Sequence, residues 1–143
     1  MLKIIDDEVE LLGDPSKIFI GGFAQGSVTA LATFLKYKGD IPLGGVIALS
    51  GMQGLDHENQ VVFKSENDRQ RVSEMRKKIP MFAYYGEDDN TFKAGKTTQT
   101  YLRYVVYEHS DNYTFLTEEG LGHKISLHEK ELLKEWLDKH MSL

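Results

Sequence analysis

The sequence of 143 residues contains no cysteine. This absence excludes a disulfide framework, a zinc site built from thiolates and a catalytic cysteine. No apolar run approaches the about 18 residues that a membrane-spanning helix needs, so no membrane span is predicted. The net charge is −5, which argues against a nucleic-acid-binding protein because such proteins usually carry a basic face.

Repeats, low-complexity tracts and linkers rich in proline, glycine or serine are also absent. The length therefore predicts a single domain over residues 1–143, long enough to bury a core. The first eight residues are too acidic, and their apolar run too short, for a signal or transit peptide. These features predict an intracellular protein of the cytoplasm, although an internal import signal for an organelle such as the mitochondrion would not be visible in this way.

Short apolar runs alternate with amphipathic stretches along the chain. The apolar runs predict strands over residues 17–22, 45–50, 81–86 and 113–117. Helical spacing predicts helices over residues 5–12, 28–35, 101–106 and 125–137, and Ser126 and Glu129 form a capping box at the start of the last one. Strands that are apolar on both faces and alternate with helices indicate an α/β fold, in which a mainly parallel sheet of about four strands is flanked by helices.

One region, residues 52–78, is rich in charges of both signs. It is predicted to be a polar insertion within the domain, with a loop followed by a charged helix over residues 68–78. The insertion is either a solvated surface or an arm that contacts a partner. Mixed charges are typical of solvated surfaces, so the first interpretation is favoured.

The most informative segment is residues 18–26, IFIGGFAQG, in which a strand runs into glycines, turns sharply and enters a helix. This order is typical of the nucleophile elbow, G-x-S-x-G. Gly22 and Gly26 would keep the tight turn free of side chains, and the backbone N–H of Gln25 at the helix N-terminus would help to stabilise an oxyanion. The central residue, however, is Ala24, which has no hydroxyl group to attack a carbonyl carbon.

This segment and three others resemble the carboxylesterase, phospholipase and acyl-protein thioesterase branch of the α/β-hydrolases. The elbow of that branch typically reads G-G-F-S-Q-G-G, and residues 21–27 here read GGFAQGS. Residues 44–51 resemble the strand that follows the elbow helix, residues 79–89 the strand that delivers the acid of the catalytic triad, and residues 119–123 the loop that delivers its histidine. The resemblance implies Asp89 as the acid, with Asp88 as the alternative, and His123 as the base. Tyr85 stands where the family has a histidine before the glycine.

The resemblance covers only the second half of the family's fold. The strands that precede the elbow, and the loop that gives the second oxyanion donor, are therefore expected to be absent. The free edge of the elbow strand, with Lys17, Ile18, Phe19 and Ile20, would then be bare. Because natural proteins avoid bare apolar edges, we expect a protein partner on this interface, either another subunit or a second copy of the chain.

Three functions remain open. The first is a catalytically inactive α/β-hydrolase remnant that serves as a structural or accessory subunit of a larger assembly. The second is a serine hydrolase of carboxylic esters or thioesters, of the acyl-protein thioesterase or lysophospholipase type, whose nucleophile has been replaced by Ala24. The third is a half-hydrolase that binds an acyl or lipid ligand together with a partner without cleaving it.

No cofactor is predicted for any of these functions. A metal site is not predicted either, because the acidic residues 87–89 lack the spacing of a calcium loop.

Overall fold

The computed structural model describes residues 2–51 and 63–141. In these ranges strands and helices alternate. The strands are β1 (Phe19–Phe23), β2 (Gly45–Leu49), β3 (Met81–Gly86) and β4 (Tyr113–Glu118). The helices are α1 (Leu2–Leu12), α2 (Gln25–Lys36), α3 (Glu66–Lys77), α4 (Phe92–Tyr101) and α5 (Leu127–His140). A short 3-10 helix (Pro15–Lys17) precedes β1, and a π-helical turn (Leu102–Val106) continues α4.

The four strands form one parallel sheet in the order β1-β2-β3-β4. This confirms the predicted α/β fold with a sheet of about four parallel strands. Every residue of β3 is buried, which explains why its sequence shows no polar alternation. The carboxyl ends of all four strands lie at the same edge of the sheet, and the loops that leave this edge carry the residues of the candidate site.

The core lies on both faces of the sheet. On one face, strand residues such as Val46 and Met81 pack in a cluster with Phe34 of α2 and Met75 of α3. On the other face, Phe82 and Tyr84 pack with Trp136 of α5, and Phe19 and Ile47 lie against this second cluster. Neighbouring residues of β1, β2 and β3 thus point to opposite clusters, as the pleat requires.

Strand β1 lies at the end of the sheet and pairs only with β2 among the described strands. Of the residues predicted for its interface, Phe19 and Ile20 lie in the strand, whereas Lys17 ends the 3-10 helix and Ile18 follows it. Ile20 is buried in the first cluster. The exposed part of the strand is further along, at Gly21 and Phe23.

The boundaries of α4 and α5 differ from the predictions, for two different reasons. The helix predicted over residues 101–106 is only the π-helical turn at the end of α4, which begins at Phe92. Its hidden face is formed by Gly95, Thr98 and Gln99, which give no hydrophobic period. Helix α5 begins at Leu127 because Ser126 is its N-cap.

The charged helix predicted over residues 68–78 is confirmed as α3. Ser65 caps it, since its side chain accepts a hydrogen bond from the N–H of Asp68 (3.1 Å). Val72 and Met75 are buried in the first cluster, so α3 belongs to the layer of helices that covers this face of the sheet. Residues 52–62 lie outside the described residues, and the predicted insertion stays a prediction. No helix in the described ranges is long and apolar enough to cross a membrane.

Candidate active site

The turn between β1 and α2 has the backbone of a strained elbow. Ala24 stands between the two elements with φ 57° and ψ −116°, and its N–H donates to the carbonyl oxygen of Leu49 (2.9 Å). A side-chain-bearing residue in such a conformation costs on the order of 1–3 kcal/mol and persists only where its surroundings impose it. Ala24 therefore occupies the position and the conformation at which a nucleophile elbow presents its central residue.

The two glycines of the elbow play different parts. A Cβ atom on Gly22 would lie 2.2 Å from the carbonyl carbon of Gly26, so no side chain fits at Gly22. A Cβ atom on Gly26 would meet nothing within 4 Å. The tight turn therefore requires a glycine at position 22. At position 26 there is room for a side chain, and only the backbone of Gly26 lies close to Gly22.

Asp89 and His123 are joined by a hydrogen bond of 2.6 Å between Oδ2 and Nδ1. Asp89 follows β3 and His123 lies between β4 and α5, so the parallel strands bring the two residues to the same edge of the sheet. Asp89 is buried and Asp88 is exposed. Of the two acids left open by the sequence, Asp89 is the partner of His123, and Asp88 instead ties the loops together through its N–H, which donates to the carbonyl oxygen of Leu121 (2.9 Å).

Hydrogen bonds keep Asp89 ionised. Burial raises the pKa of this carboxyl group, but hydrogen bonds from the N–H of Thr91 (2.9 Å), its hydroxyl group (2.7 Å) and His123 outweigh burial and lower the pKa. An ionised Asp89 fixes the orientation of the imidazole and leaves Nε2 to accept a proton. Thr91 was missed by the sequence analysis, although Asp two residues before Thr is a common turn pattern.

Phe23 connects the elbow to the dyad formed by Asp89 and His123. Its ring lies against the imidazole of His123, with ring centroids 5.1 Å apart and planes tilted by 38°. The residue before Ala24 is thus in contact with the dyad histidine. The structure joins Asp89 to His123 and places Phe23, the neighbour of Ala24, against His123. The catalytic roles of these residues stay predictions.

Behind the elbow lie hydroxyl groups that cannot replace the missing nucleophile. The hydroxyl group of Tyr85 donates to the carbonyl oxygen of Gly51. Ser27 and Ser50 are 1% and 0% exposed, and neither hydroxyl group has a hydrogen-bond partner among the described residues. Both are closed off from any substrate, so the hydroxyl groups next to the elbow serve packing.

The arrangement can accept and pass on a proton at His123 and can offer the N–H of Gln25 at the N-terminus of α2. At Ala24 it presents a methyl group. Within residues 2–51 and 63–141, no three histidine, aspartate or glutamate side chains are grouped as a metal site would require. Because the methyl group of Ala24 cannot act as a nucleophile, covalent catalysis through residue 24 is not possible in this sequence.

Substituting Ala24 with glycine is expected to stabilise the fold. Glycine adopts positive φ without steric cost, so Ala24→Gly should raise the free energy of unfolding by about 1 kcal/mol. Ala32→Gly in the interior of α2 is the matched control and should lower it by about 1 kcal/mol. Urea denaturation of both variants checks the two signs, and a less stable Ala24→Gly variant would contradict the strain assigned to Ala24.

The sequence matches a family model described as Phospholipase/Carboxylesterase over residues 1–141. It is 33% identical over 140 residues to a probable carboxylesterase SOBER1-like of Arabidopsis thaliana, a match that covers 96% of this chain and 48% of the relative. It is 30% identical over 142 residues to acyl-protein thioesterase 1 of Kluyveromyces lactis, covering 97% of this chain and 55% of the relative. The chain thus spans about half the length of the relatives it matches.

Solved structures agree with these sequence matches. The crystal structure of SOBER1 from Arabidopsis thaliana superposes with a TM-score of 0.72 at 28% identity, covering 98% of this chain and 60% of the other. Acyl-protein thioesterase 2 from Zea mays superposes with a TM-score of 0.65 at 20% identity, covering 85% of this chain and 55% of the other, and supports the fold alone. With its elbow, its dyad and its sequence match in agreement, the chain belongs to the phospholipase/carboxylesterase family of α/β-hydrolases.

Proposed function

We propose that this chain is a catalytically inactive member of the family, which serves as a structural or accessory subunit of a protein assembly. The observation that carries the proposal is Ala24 in the strained conformation of the elbow, beside a complete Asp89–His123 dyad. The base has a partner to orient it but no hydroxyl group to deprotonate. Without a nucleophile the covalent route through an acyl intermediate cannot begin.

The edge of β1 supports the role as a subunit. Its outer side carries no strand among the described residues, and Gly21 is exposed in the middle of the strand. Backbone N–H and C=O groups on such an edge can pair with another strand. We infer that a strand from a partner, either another subunit or a second copy of this chain, pairs with β1.

A second candidate is a hydrolase of esters or thioesters that carries serine at position 24. It is favoured by the dyad, whose 2.6 Å hydrogen bond and ionised acid are what a serine nucleophile needs. The serine oxygen would attack the carbonyl carbon while His123 takes its proton, and His123 would then return the proton to the leaving group. Two of the chain's relatives are a probable carboxylesterase and an acyl-protein thioesterase, so an acyl ester or thioester is the substrate class of this candidate.

The inactivity is tested with a fluorophosphonate probe and a chromogenic butyrate ester. The chain with Ala24 should take up no probe, and its rate of ester cleavage should equal that of the His123→Ala variant. Probe found on Ser27 or Ser50 would contradict the proposal, because another hydroxyl group would then act as the nucleophile. Cleavage that depends on His123 would contradict it equally.

The role as a subunit is tested by the native mass of the chain isolated from its source. A stoichiometric partner, or a dimer, whose binding protects the amides of residues 19–23 from hydrogen exchange is the expected result. A monomer in which these amides exchange freely would contradict the proposed interface. The coding sequence of the source separates the two candidates, since a serine codon at position 24 would favour the hydrolase. The predicted intracellular location stays a prediction.

A further inference from the structure

Glu129 is a buried acid that the candidate site does not use. It lies in the first turn of α5 and is 0% exposed, and neither of its carboxyl oxygens has a hydrogen-bond partner among the described residues. Ser126 Oγ accepts from the N–H of Glu129 (3.0 Å), which is the first half of the predicted capping box. The N–H of Ser126 faces the carboxyl group of Glu129 and lowers its pKa, but this return contact lacks the geometry of a full hydrogen bond.

The surroundings of Glu129 tie together the two ends of the loop that carries His123, residues 119–125. Glu118, the last residue of β4, accepts hydrogen bonds at Oε1 from the hydroxyl groups of Tyr84 and Ser126, each at 2.7 Å. Ser126 in turn caps α5 through the N–H of Glu129. The hydroxyl group of Ser126 thus links the end of the His123 loop to Glu118 at its start, and it also accepts the hydrogen bond from the N–H of Glu129.

The charges in this cluster favour a neutral Glu129. A carboxylate that is buried without a cation or a well-formed hydrogen bond is strongly disfavoured, and the group retains its proton instead. The titratable groups that face Glu129 are Glu118 at the end of β4 and Tyr84 in β3. Hydrogen bonds from Ser126 and Tyr84 lower the pKa of Glu118, with His128 acting in the same direction, so Glu118 holds the negative charge. Burial raises the pKa of Glu129, the N–H of Ser126 lowers it and the charge of Glu118 raises it again, with a net rise to about 7.

We propose that neutral Glu129 is a positioning residue for His123, and that its ionisation releases the start of α5 and loosens the His123 loop. An ionised carboxylate can reach water only if the first turn of α5 lifts away from β3 and β4. That movement separates Ser126 from Glu118, and the loop then loses its anchor. The Asp89–His123 hydrogen bond is weakened in consequence. This inference holds whether or not the chain cleaves a substrate.

The sign of the pH effect follows from the two states of Glu129. The folded chain keeps the proton up to about pH 7, whereas a glutamate in the unfolded chain releases it near its ordinary pKa of 4.5. Between these values the folded state binds more protons, so stability falls as the pH rises through this window. The unfolding equilibrium constant of the native chain should increase on the order of 100-fold between pH 4.5 and 7.5 through this group.

The test compares the native chain with Glu129→Gln, which keeps the shape of the side chain and cannot ionise, and with Glu131→Gln, an exposed position on the same helix. Urea denaturation from pH 4.5 to 8 should show a fall in stability for the native chain and Glu131→Gln that Glu129→Gln lacks. All three proteins keep every histidine, so their difference isolates Glu129. Equal pH profiles in all three would overturn the proposal.

Two further measurements address the positioning of His123. Protection of the amides of residues 119–125 from hydrogen exchange, and the NMR signal of the His123 Nδ1 proton, should weaken as the pH rises in the native chain and hold in Glu129→Gln. A change in stability without a change in this loop would overturn the positioning role. If Glu129→Gln does not fold, carbon-13 NMR of the Glu129 carboxyl group in the native chain decides, and a pKa near 4.5 would overturn the proposal.

Discussion

Replacing Ala24 with serine is expected to give the chain an ester-cleaving activity. The elbow already has the required backbone conformation, and the dyad is already joined at 2.6 Å. Removing the nucleophile from a triad costs about 10⁶ in rate. The described residues offer one backbone oxyanion donor at the elbow, the N–H of Gln25, and a missing donor costs about 10²–10³. The net gain of Ala24→Ser over the chain with Ala24 should thus be about 10³–10⁴-fold.

The measurement is initial-rate hydrolysis of a butyrate ester, with fluorophosphonate labelling mapped by mass spectrometry. Ala24→Ser should be labelled at residue 24, and the double variant Ala24→Ser/His123→Ala should lose both label and rate. Near-ultraviolet circular dichroism confirms that each variant is folded. A folded Ala24→Ser variant with neither label nor turnover would contradict the alignment of the elbow with the dyad. The alanine would then not be the sole cause of inactivity.

Adding a single methyl group at Gly22 is expected to destabilise the fold strongly, so that a large share of the molecules unfolds. The new Cβ atom would lie 2.2 Å from the carbonyl carbon of Gly26, a distance at which the backbone of β1 or α2 must move. Backbone shifts forced by an added group typically cost about 1–3 kcal/mol, and here no flexible side chain can yield. We expect Gly22→Ala to lower the free energy of unfolding by at least ~3 kcal/mol.

Gly26→Ala is the matched control, four residues away in the same turn. Its Cβ atom would meet nothing within 4 Å, and alanine is the better helix former, so this variant should be as stable as the native chain or slightly more stable. Chemical denaturation of both variants checks the contrast. Equal losses at the two positions would show that the elbow does not bring the backbone of Gly26 close to Gly22.

The sequence predicted the parts of the fold that depend on local pattern. The buried strands are runs of apolar residues, and Gly22 marks a turn that has no room for a side chain at this position. Family motifs supplied the pairing of Asp89 with His123, which lie 34 residues apart and which no local pattern could join. The start of α4 was missed because its buried face contains Gly95, Thr98 and Gln99 rather than apolar residues.

Other features of the site depend on tertiary contacts that the sequence pattern does not specify. In the sequence, Thr91 is only one of several polar residues after β3. Its two hydrogen bonds to Asp89 become apparent in the structure. Phe23 looks like a core residue of the strand, yet 37% of it is exposed and its ring lies on His123. Glu129 has the spacing of an ordinary capping residue, and only packing against β3 and β4 reveals that it is buried.

The sequential order of the strands also determines when the site can form during synthesis on the ribosome. Each strand pairs with the one made just before it, so the sheet can extend in the order in which the chain emerges. Asp89 is synthesised before β4 and before the loop that carries His123. The hydrogen bond between the two residues can form only after that loop has been synthesised. The dyad is therefore among the last contacts to form in the growing chain, and a nascent protein released before residue 123 would have the elbow but no base.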